Sequence, residues 1–392
     1  MTPRAIATPA PVPAPAPAPD EDLSAQRRAA WRLLEEMTRA DGNGDEPGFE
    51  SWQGEAAVFA PRSQAGGRGI RGFARRGPHQ ASSSPGVPVI NYTLYNAVAV
   101  AHFRAHRLER RAELARLRIT GVRDTVFTAD RSITGFPDGT VILKTAWWPL
   151  AADRITALPV WDPESNPARA AGNSYLSWQR VVGVVPPDPL PAITADATID
   201  FAGRRFPQAQ PLRAEALPTL RVDRGLAARL MRDPSTREAA MIALGRALAA
   251  GDYLALVSLN VASHTQGRWQ WAAFWWHDRP DVGPDAADRP ASLPEPWRHF
   301  LLQVTIDSDR PPAADGGPAV CFDPWLEGRF PDGGHGSGVQ SNCIACHRRA
   351  SFPPIAFLPV TRGAADAAHD PAFAPGRLRT DFIWSIALHA EP

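Results

Sequence analysis

Cys343, Cys346 and His347 spell C-x-x-C-H within the stretch SNCIACHRRA, residues 341–350. Only one other cysteine, Cys321, occurs among the 392 residues. Two thiols three positions apart share one helical turn, where each can bond a vinyl group of the same porphyrin. The adjacent imidazole then reaches the iron from the same side. The same residues admit other chemistry. Cys321, Cys343 and Cys346 with His335 or His347 offer a four-donor zinc set, and a C-x-x-C pair can act as a redox dithiol. Zinc folds usually pair one C-x-x-C with a second tight pair, and Cys321 stands alone. A thioredoxin-like dithiol lies between a strand and a long helix, whereas here PDGGHGSGVQSN precedes the motif and the prolines of ASFPP follow it. The segment reads as a loop, one helical turn and another loop, and covalent haem suits that arrangement best.

Other residues could serve such a site. Lys144 places a charge inside the apolar run ILKTAWW; it is either a snorkelling strand residue or a partner for a haem propionate. Arg348 and Arg349, next to His347, are propionate partners or solvated cations. Trp269, Trp271, Trp275 and Trp276 read as core packing. Asp323 and Trp325 in FDPWLEGRF build a turn that positions the motif, and Cys321 reads as a buried free thiol. The sixth iron position is not expected to be filled by methionine, because Met1 falls in a tail and Met37, Met231 and Met241 fall at apolar helical positions. His264, at the end of a strand-like run, is the leading histidine for it; His335 follows, and His389 reads as too near the free end to be rigid.

Two further constellations take bland readings. His102 and His106, four apart, have helical metal spacing but no glutamate between them, and read as a surface pair. DGNGDEPGFESW (residues 41–52) begins like a calcium loop, yet Glu46 stands where glycine is needed and Trp52 where a bidentate glutamate is needed, so it reads as a turn.

Composition bounds the rest. Forty-two basic residues against 41 acidic ones give a net charge of +1, so no global field draws the chain to nucleic acid. The arginine- and glycine-rich residues 61–77 read as a solvated loop. The 41 prolines argue for long irregular connections, and 13 tryptophans for an aromatic core. No segment has the 18 or so apolar residues of a membrane span. MTPRAIATPAPVPAPAPAPDED lacks the apolar centre of a signal peptide. Since c-type maturation takes place outside the cytoplasmic membrane, the haem reading implies a periplasmic protein whose leader is missing from this sequence, or a lipid-anchored one; the other resolution is a cytoplasmic protein whose site binds zinc.

Elements that must position these residues follow from pattern. Residues 23–40 predict an amphipathic helix and residues 90–117 the longest helix. Residues 140–150, 155–161, 178–185, 252–265, 268–278 and 300–307 predict strands, being β-branched or aromatic runs bounded by Pro, Gly and Asp. A helical pair near 224–232 and 236–250 interrupts them. With no βαβ alternation and no glycine-rich nucleotide loop, the expected class is α+β. That means an antiparallel, Trp-rich sheet core with flanking helices on one side and a C-terminal, loop-rich segment carrying the haem. The expected organisation is a disordered Pro/Ala linker over 1–22, a helical and loop region over 23–135, a β-rich core with a helical insertion over 136–317, and the haem c-binding segment over 318–392.

FPDGTVILKTAWWPL, LPVWDPE, DYLALVSLNVASHTQGRWQWAAFWW, CFDPWLEGRF, GVQSNCIACHRRA and TDFIWSI, spread over most of residues 136–388, together resemble an uncharacterised bacterial family described as cytochrome c family proteins. The resemblance implies one haem c held covalently by Cys343, Cys346 and His347, and supplies no substrate. Members tend to carry histidine where this chain has Asn260. Two classes of activity stand: a monohaem electron-transfer protein, or a peroxidase- or oxidase-like haem oxidoreductase with an open sixth site. The body is larger than electron transfer needs, yet there is no second C-x-x-C-H to act as an electron reservoir. Either class implies a redox partner protein or small-molecule electron donor. A zinc-stabilised binding module is the third reading.

Overall fold

The computed structural model describes residues 19–40, 46–59, 88–123, 130–163, 174–187, 198–206, 211–281, 283–307, 320–327, 341–355 and 376–390. The expected linker up to residue 18, the arginine-rich loop, His335 and Met1 lie outside them. In chain order, the elements that bear on the site begin with helix α1 (Pro19–Thr38), strand β1 (Ile90–Tyr95), α2 (Ala97–Ala105) and α3 (Arg111–Thr120). Strands β2 (Val141–Leu150), β3 (Thr156–Val160) and β4 (Arg180–Val185) follow, then α4 (Arg224–Leu230) and α5 (Pro234–Leu244). The chain closes with β5 (Tyr253–Thr265), β6 (Arg268–Trp276), β7 (Phe300–Ile306), α6 (Cys343–His347), β8 (Leu378–Arg379) and α7 (Trp384–His389).

A seven-stranded antiparallel sheet organises the molecule, running Gln53–Gly54, β1, β2, β5, β6, β7, with Thr219–Arg221 pairing to β5. Residues directly opposite in antiparallel pairs share a face. One row is Thr145, Leu259, Phe274 and Leu302; the adjacent row is Lys144, Asn260, Ala273 and Gln303, on the other face. The first row joins an apolar cluster with Trp31 and Leu34 of α1, Leu226 of α4 and Ala240 of α5. The second face, through Ile142, Ala262, Trp269, Trp271 and Ala273, joins a separate cluster with Phe103 of α2, Leu114 of α3, Ile344 of α6 and Ile386 of α7. Helices therefore cover both faces rather than one side. That is why β2 and β5 read as near-continuous apolar runs instead of alternating ones.

The expected α+β class and the six strands agree with the structure, but the helix over 90–117 does not. Ile90–Tyr95 pairs with Ile142–Trp147 as a strand. Asn96 then caps α2, its side chain accepting from the Ala99 amide at 2.9 Å. Arg107 takes φ 53° between α2 and α3, which ends the first helix before the second begins. His102 also departs from its surface reading. It is 7% exposed, its Nε2 lies 3.0 Å from the Thr134 carbonyl, and its ring packs on Phe136. The expected turn at DGNGDEPGFESW is described from residue 46 on and ends in a 3-10 turn, Gly48–Ser51.

One short strand pairing ties the C-terminal segment to the rest, and two further pairings lie within it. Leu378–Arg379 runs parallel to Arg131–Ser132 and antiparallel to Ser351–Phe352. Cys321 forms an isolated parallel bridge with Asn342.

Candidate functional site

The motif forms one helical turn because Asn342 caps it. The Asn342 side chain accepts from the Ala345 amide at 3.0 Å and donates to Thr305 Oγ1 on β7 at 3.0 Å, so one residue starts the turn and docks it on the sheet. On its other side the Cys343 amide donates to the Cys321 carbonyl at 3.0 Å. Cys343 and Cys346, at i and i+3, share a helix face.

His347 is oriented by a distant segment. Its Nδ1 lies 2.7 Å from the Phe382 carbonyl, and a carbonyl only accepts, so Nδ1 carries the proton and Nε2 keeps its lone pair. The ring packs on Trp271 with centroids 4.5 Å apart. Burial pushes its pKa down to about 4, leaving a neutral imidazole at neutral pH. The Phe382 carbonyl is presented by a turn in which Asp381 and Phe382 adopt φ 47° and 67°, a region that side chains disfavour. Asp381 holds the turn, accepting from the Phe136 amide at 2.7 Å and from Trp269 Nε1 at 3.1 Å.

A buried polar group surrounds the thiols. Cys343 Sγ lies 3.9 Å from Cys321 Sγ and 3.7 Å from Glu327 Oε2. Asn260, on β5, donates to Glu327 Oε1 at 3.1 Å. Glu327 Oε2 accepts from the Asp323 amide at 2.5 Å, and Asp323 Oδ1 accepts from the amides of Trp325 and Leu326. The expected FDPWLE turn is thus present: Phe322, Trp325 and Leu326 enter the larger apolar cluster while Asp323 and Glu327 turn toward the thiols. Lys144, opposite Asn260, contributes positive charge to Asp323, Glu327 and His347. It sits on an interior strand, and it is the only lysine in a chain with 42 Lys and Arg residues. Among so many arginines, one lysine kept at the site was a sequence signal for this position; guanidinium and ammonium are not interchangeable.

Both motif thiols are held protonated. Contact with Cys321 and burial hold Cys343 well above its usual range, and burial pushes Cys346 up to about 12. A Cys343–Cys346 dithiol that exchanges within the folded chain needs the opposite shift. Among the described residues no three or more His, Cys, Asp and Glu side chains are disposed to hold a metal ion, so the zinc set expected of Cys321, Cys343, Cys346 and His347 is not assembled.

The structure brings Cys343, Cys346, His347 and Lys144 together. Arg348 pairs with Asp307 and Arg349 lies near enough to Cys346 to favour its thiolate. His264 is elsewhere: its Nδ1 is 2.9 Å from Asp138, and the rings of Trp269 and Trp271 lie in sequence between it and His347. His389 is not loose, since its Nε2 is 3.3 Å from Glu55 and its ring packs on Phe59. The four tryptophans of β6 are buried core, as read. Glu327, Asn342 and Asp381 escaped the sequence reading. No family model, curated protein or solved structure matches the chain.

The buried carboxylates predict a pH dependence for the haem-free chain. Burial, with Asp323 close by, pushes Glu327 up to about 8, and burial pushes Asp323 up to about 6. An acid whose folded pKa is raised stabilises the fold fully below its unfolded pKa, and that stability is lost as pH rises through the folded value. His347, lowered to about 4, acts in the opposite sense and only below 6.5. Between pH 6.5 and 8 the Glu327 contribution dominates, Asp323 and Asp285 titrating nearer 6, and unfolding free energy should fall by about 2 kcal/mol across that interval. Denaturant titrations at the two ends measure it, and Glu327→Gln should flatten the decline.

Proposed function

We propose that the chain is a monohaem c-type cytochrome that carries electrons, with one haem bonded through Cys343 and Cys346 and ligated by His347. The observation that carries the reading is the His347 Nδ1 to Phe382 carbonyl bond at 2.7 Å, beside two thiols one helical turn apart. An imidazole whose second nitrogen is spent on a backbone carbonyl is fixed in orientation and tautomer, the arrangement by which histidine ligands are held ready. The donor set therefore fits the group. Bound there, haem supplies one-electron chemistry at its iron. The residues of this chain do the rest. His347 offers Nε2, Trp271 packs its ring, Asn342 anchors the turn to β7, and Lys144 supplies positive charge beside Glu327 and His347. Arg349 adds a second positive charge beside Cys346, and Arg348 is paired with Asp307.

A second reading is favoured by one observation. Asp323, fully buried, and Glu327, in part exposed beside Lys144, form a titratable group that electron carriage alone does not need. In that reading the protein is a haem-dependent oxidoreductase, peroxidase- or oxidase-like, with an open sixth site. Methionine is not the expected ligand at that site in either reading. Met37 and Met231 pack with the cluster that holds α1, α4 and α5, and Met241 is exposed on α5. The ferric protein should lack the weak near-infrared band of methionine-sulfur ligation. Rapid binding of cyanide or carbon monoxide would favour the oxidoreductase, and a low-spin spectrum indifferent to both the carrier. Finding the near-infrared band, and losing it in Met231→Ala, would overturn the ligand assignment.

The working compartment belongs to the same proposal. Thioether formation requires an exported chain, so the protein works in the periplasm or on the outer face of a membrane, with a redox partner protein or small-molecule donor there. No described helix is long and apolar enough to cross a membrane.

A further inference from the structure

Cys321 lies 22 residues before Cys343 and outside the C-x-x-C-H motif, yet the fold delivers it to the motif. Its backbone bridges Asn342, its amide donates to the Ser341 carbonyl at 3.0 Å, and its carbonyl accepts from the Cys343 amide at 3.0 Å. The two sulfurs lie 3.9 Å apart, with Cys321 fully buried and Cys343 3% exposed. Cys346, the partner that spacing alone would choose, makes no such sulfur contact among the described residues. A disulfide needs its sulfurs at about 2 Å, on neighbouring backbones whose Cβ vectors converge. Side-by-side backbones are already in place, with the two sulfurs 3.9 Å apart.

From this geometry we infer that Cys321 and Cys343 form a reversible intrachain disulfide, which takes Cys343 away from any other bond. In the oxidation the S–H bonds of both residues break and one S–S bond forms. Two electrons and two protons pass to a small disulfide such as oxidised glutathione, which leaves as two thiols. Because both sulfurs are enclosed and Glu327 lies 3.7 Å from Cys343, the exchange belongs to the folding or locally opened chain and is then sealed by burial. The consequence rests on the proposed haem attachment: the cross-linked chain has one motif thiol instead of two. Cys321 would thus set whether the motif is available, a role separate from holding the haem.

The test uses the full chain produced without haem. It is equilibrated with oxidised and reduced glutathione, denatured in acid, alkylated and mapped by peptide mass. The expected result at the oxidising end is a Cys321–Cys343 cross-linked peptide, with loss of alkylation at both residues and Cys346 still alkylated. In Cys346→Ser, which retains the pair and does not depend on altering either buried sulfur, the intact mass should drop by two hydrogens. Alkylation of all three cysteines across the whole redox range, or a cross-link confined to Cys343 and Cys346, would overturn the inference. A second arm offers haem and the c-type maturation machinery to Cys321→Ser and to the parent chain. Failure of haem to attach to either, with the cross-link mapped as expected, would contradict the proposed function and leave the disulfide standing.

Discussion

Changing Cys343 and Cys346 together to alanine should release the haem from the chain. Exported and matured alongside the parent, the double variant should give up all its colour to acid acetone while the parent keeps its own. Each single variant should retain one thioether and hold haem more weakly. The expectation follows from the helix: the thiols at i and i+3 share a face, and Asn342 fixes that face relative to β7. Misfolding is not the expected cause of the loss. Cys343→Ala removes one buried sulfur from a packed site, a change costing about 1 kcal/mol or a little more. Far-ultraviolet circular dichroism of the haem-free variant should match the parent. Haem that resists extraction from the double variant would mean that the motif does not attach it.

Removing Arg379 should cost about 3–5 kcal/mol, the largest loss of stability expected from a single substitution here. Its Nε and Nη2 lie 3.2 and 3.0 Å from Asp130 Oδ2, and both side chains are almost wholly buried. Arg379→Met strands the carboxylate in the interior, with desolvation uncompensated. Pairing it with Asp130→Leu should recover much of the loss, because the pair as a whole is worth less than either partner abandoned. Its importance to the site lies in where it stands. Arg379 ends β8, and the turn from Thr380 to Ile383 that follows presents the Phe382 carbonyl to His347. A chain weakened there should also hold His347 less firmly, seen as a broader distribution of ferric spin states. Equal stability of Arg379→Met and the parent in denaturant titrations would refute the assignment.

What the sequence disclosed, and what it withheld, differ in range. Strands β2 to β7 were legible because each is a β-branched or aromatic run ended by Pro, Gly or Asp, a local signal. β1 was hidden because INYTLY runs without a breaker into NAVAVAHF, and only Asn96, a cap, marks the change of period. The core of the site was legible in C-x-x-C-H, whose members are neighbours in sequence. Its supports were not. Glu327 and Asp381 are ordinary surface-type residues by composition, and only the folding of distant segments onto β5 and α6 buries them. His264 shows the same limit in reverse: its strand was read correctly, but that the register sets it opposite Trp269, with Asp138 at its Nδ1, was not legible. Helix placement on both faces was likewise a property of packing that no single segment carries.

Covalent haem at C-x-x-C-H is the centre of this account, and one measurement addresses it most directly. The chain is expressed with an export leader and the c-type maturation machinery, purified, extracted with acid acetone, and examined by intact mass and metal content. The account predicts one haem retained on each chain, with iron and haem in equal amount and no zinc. A colourless chain of unmodified mass carrying one zinc would contradict it.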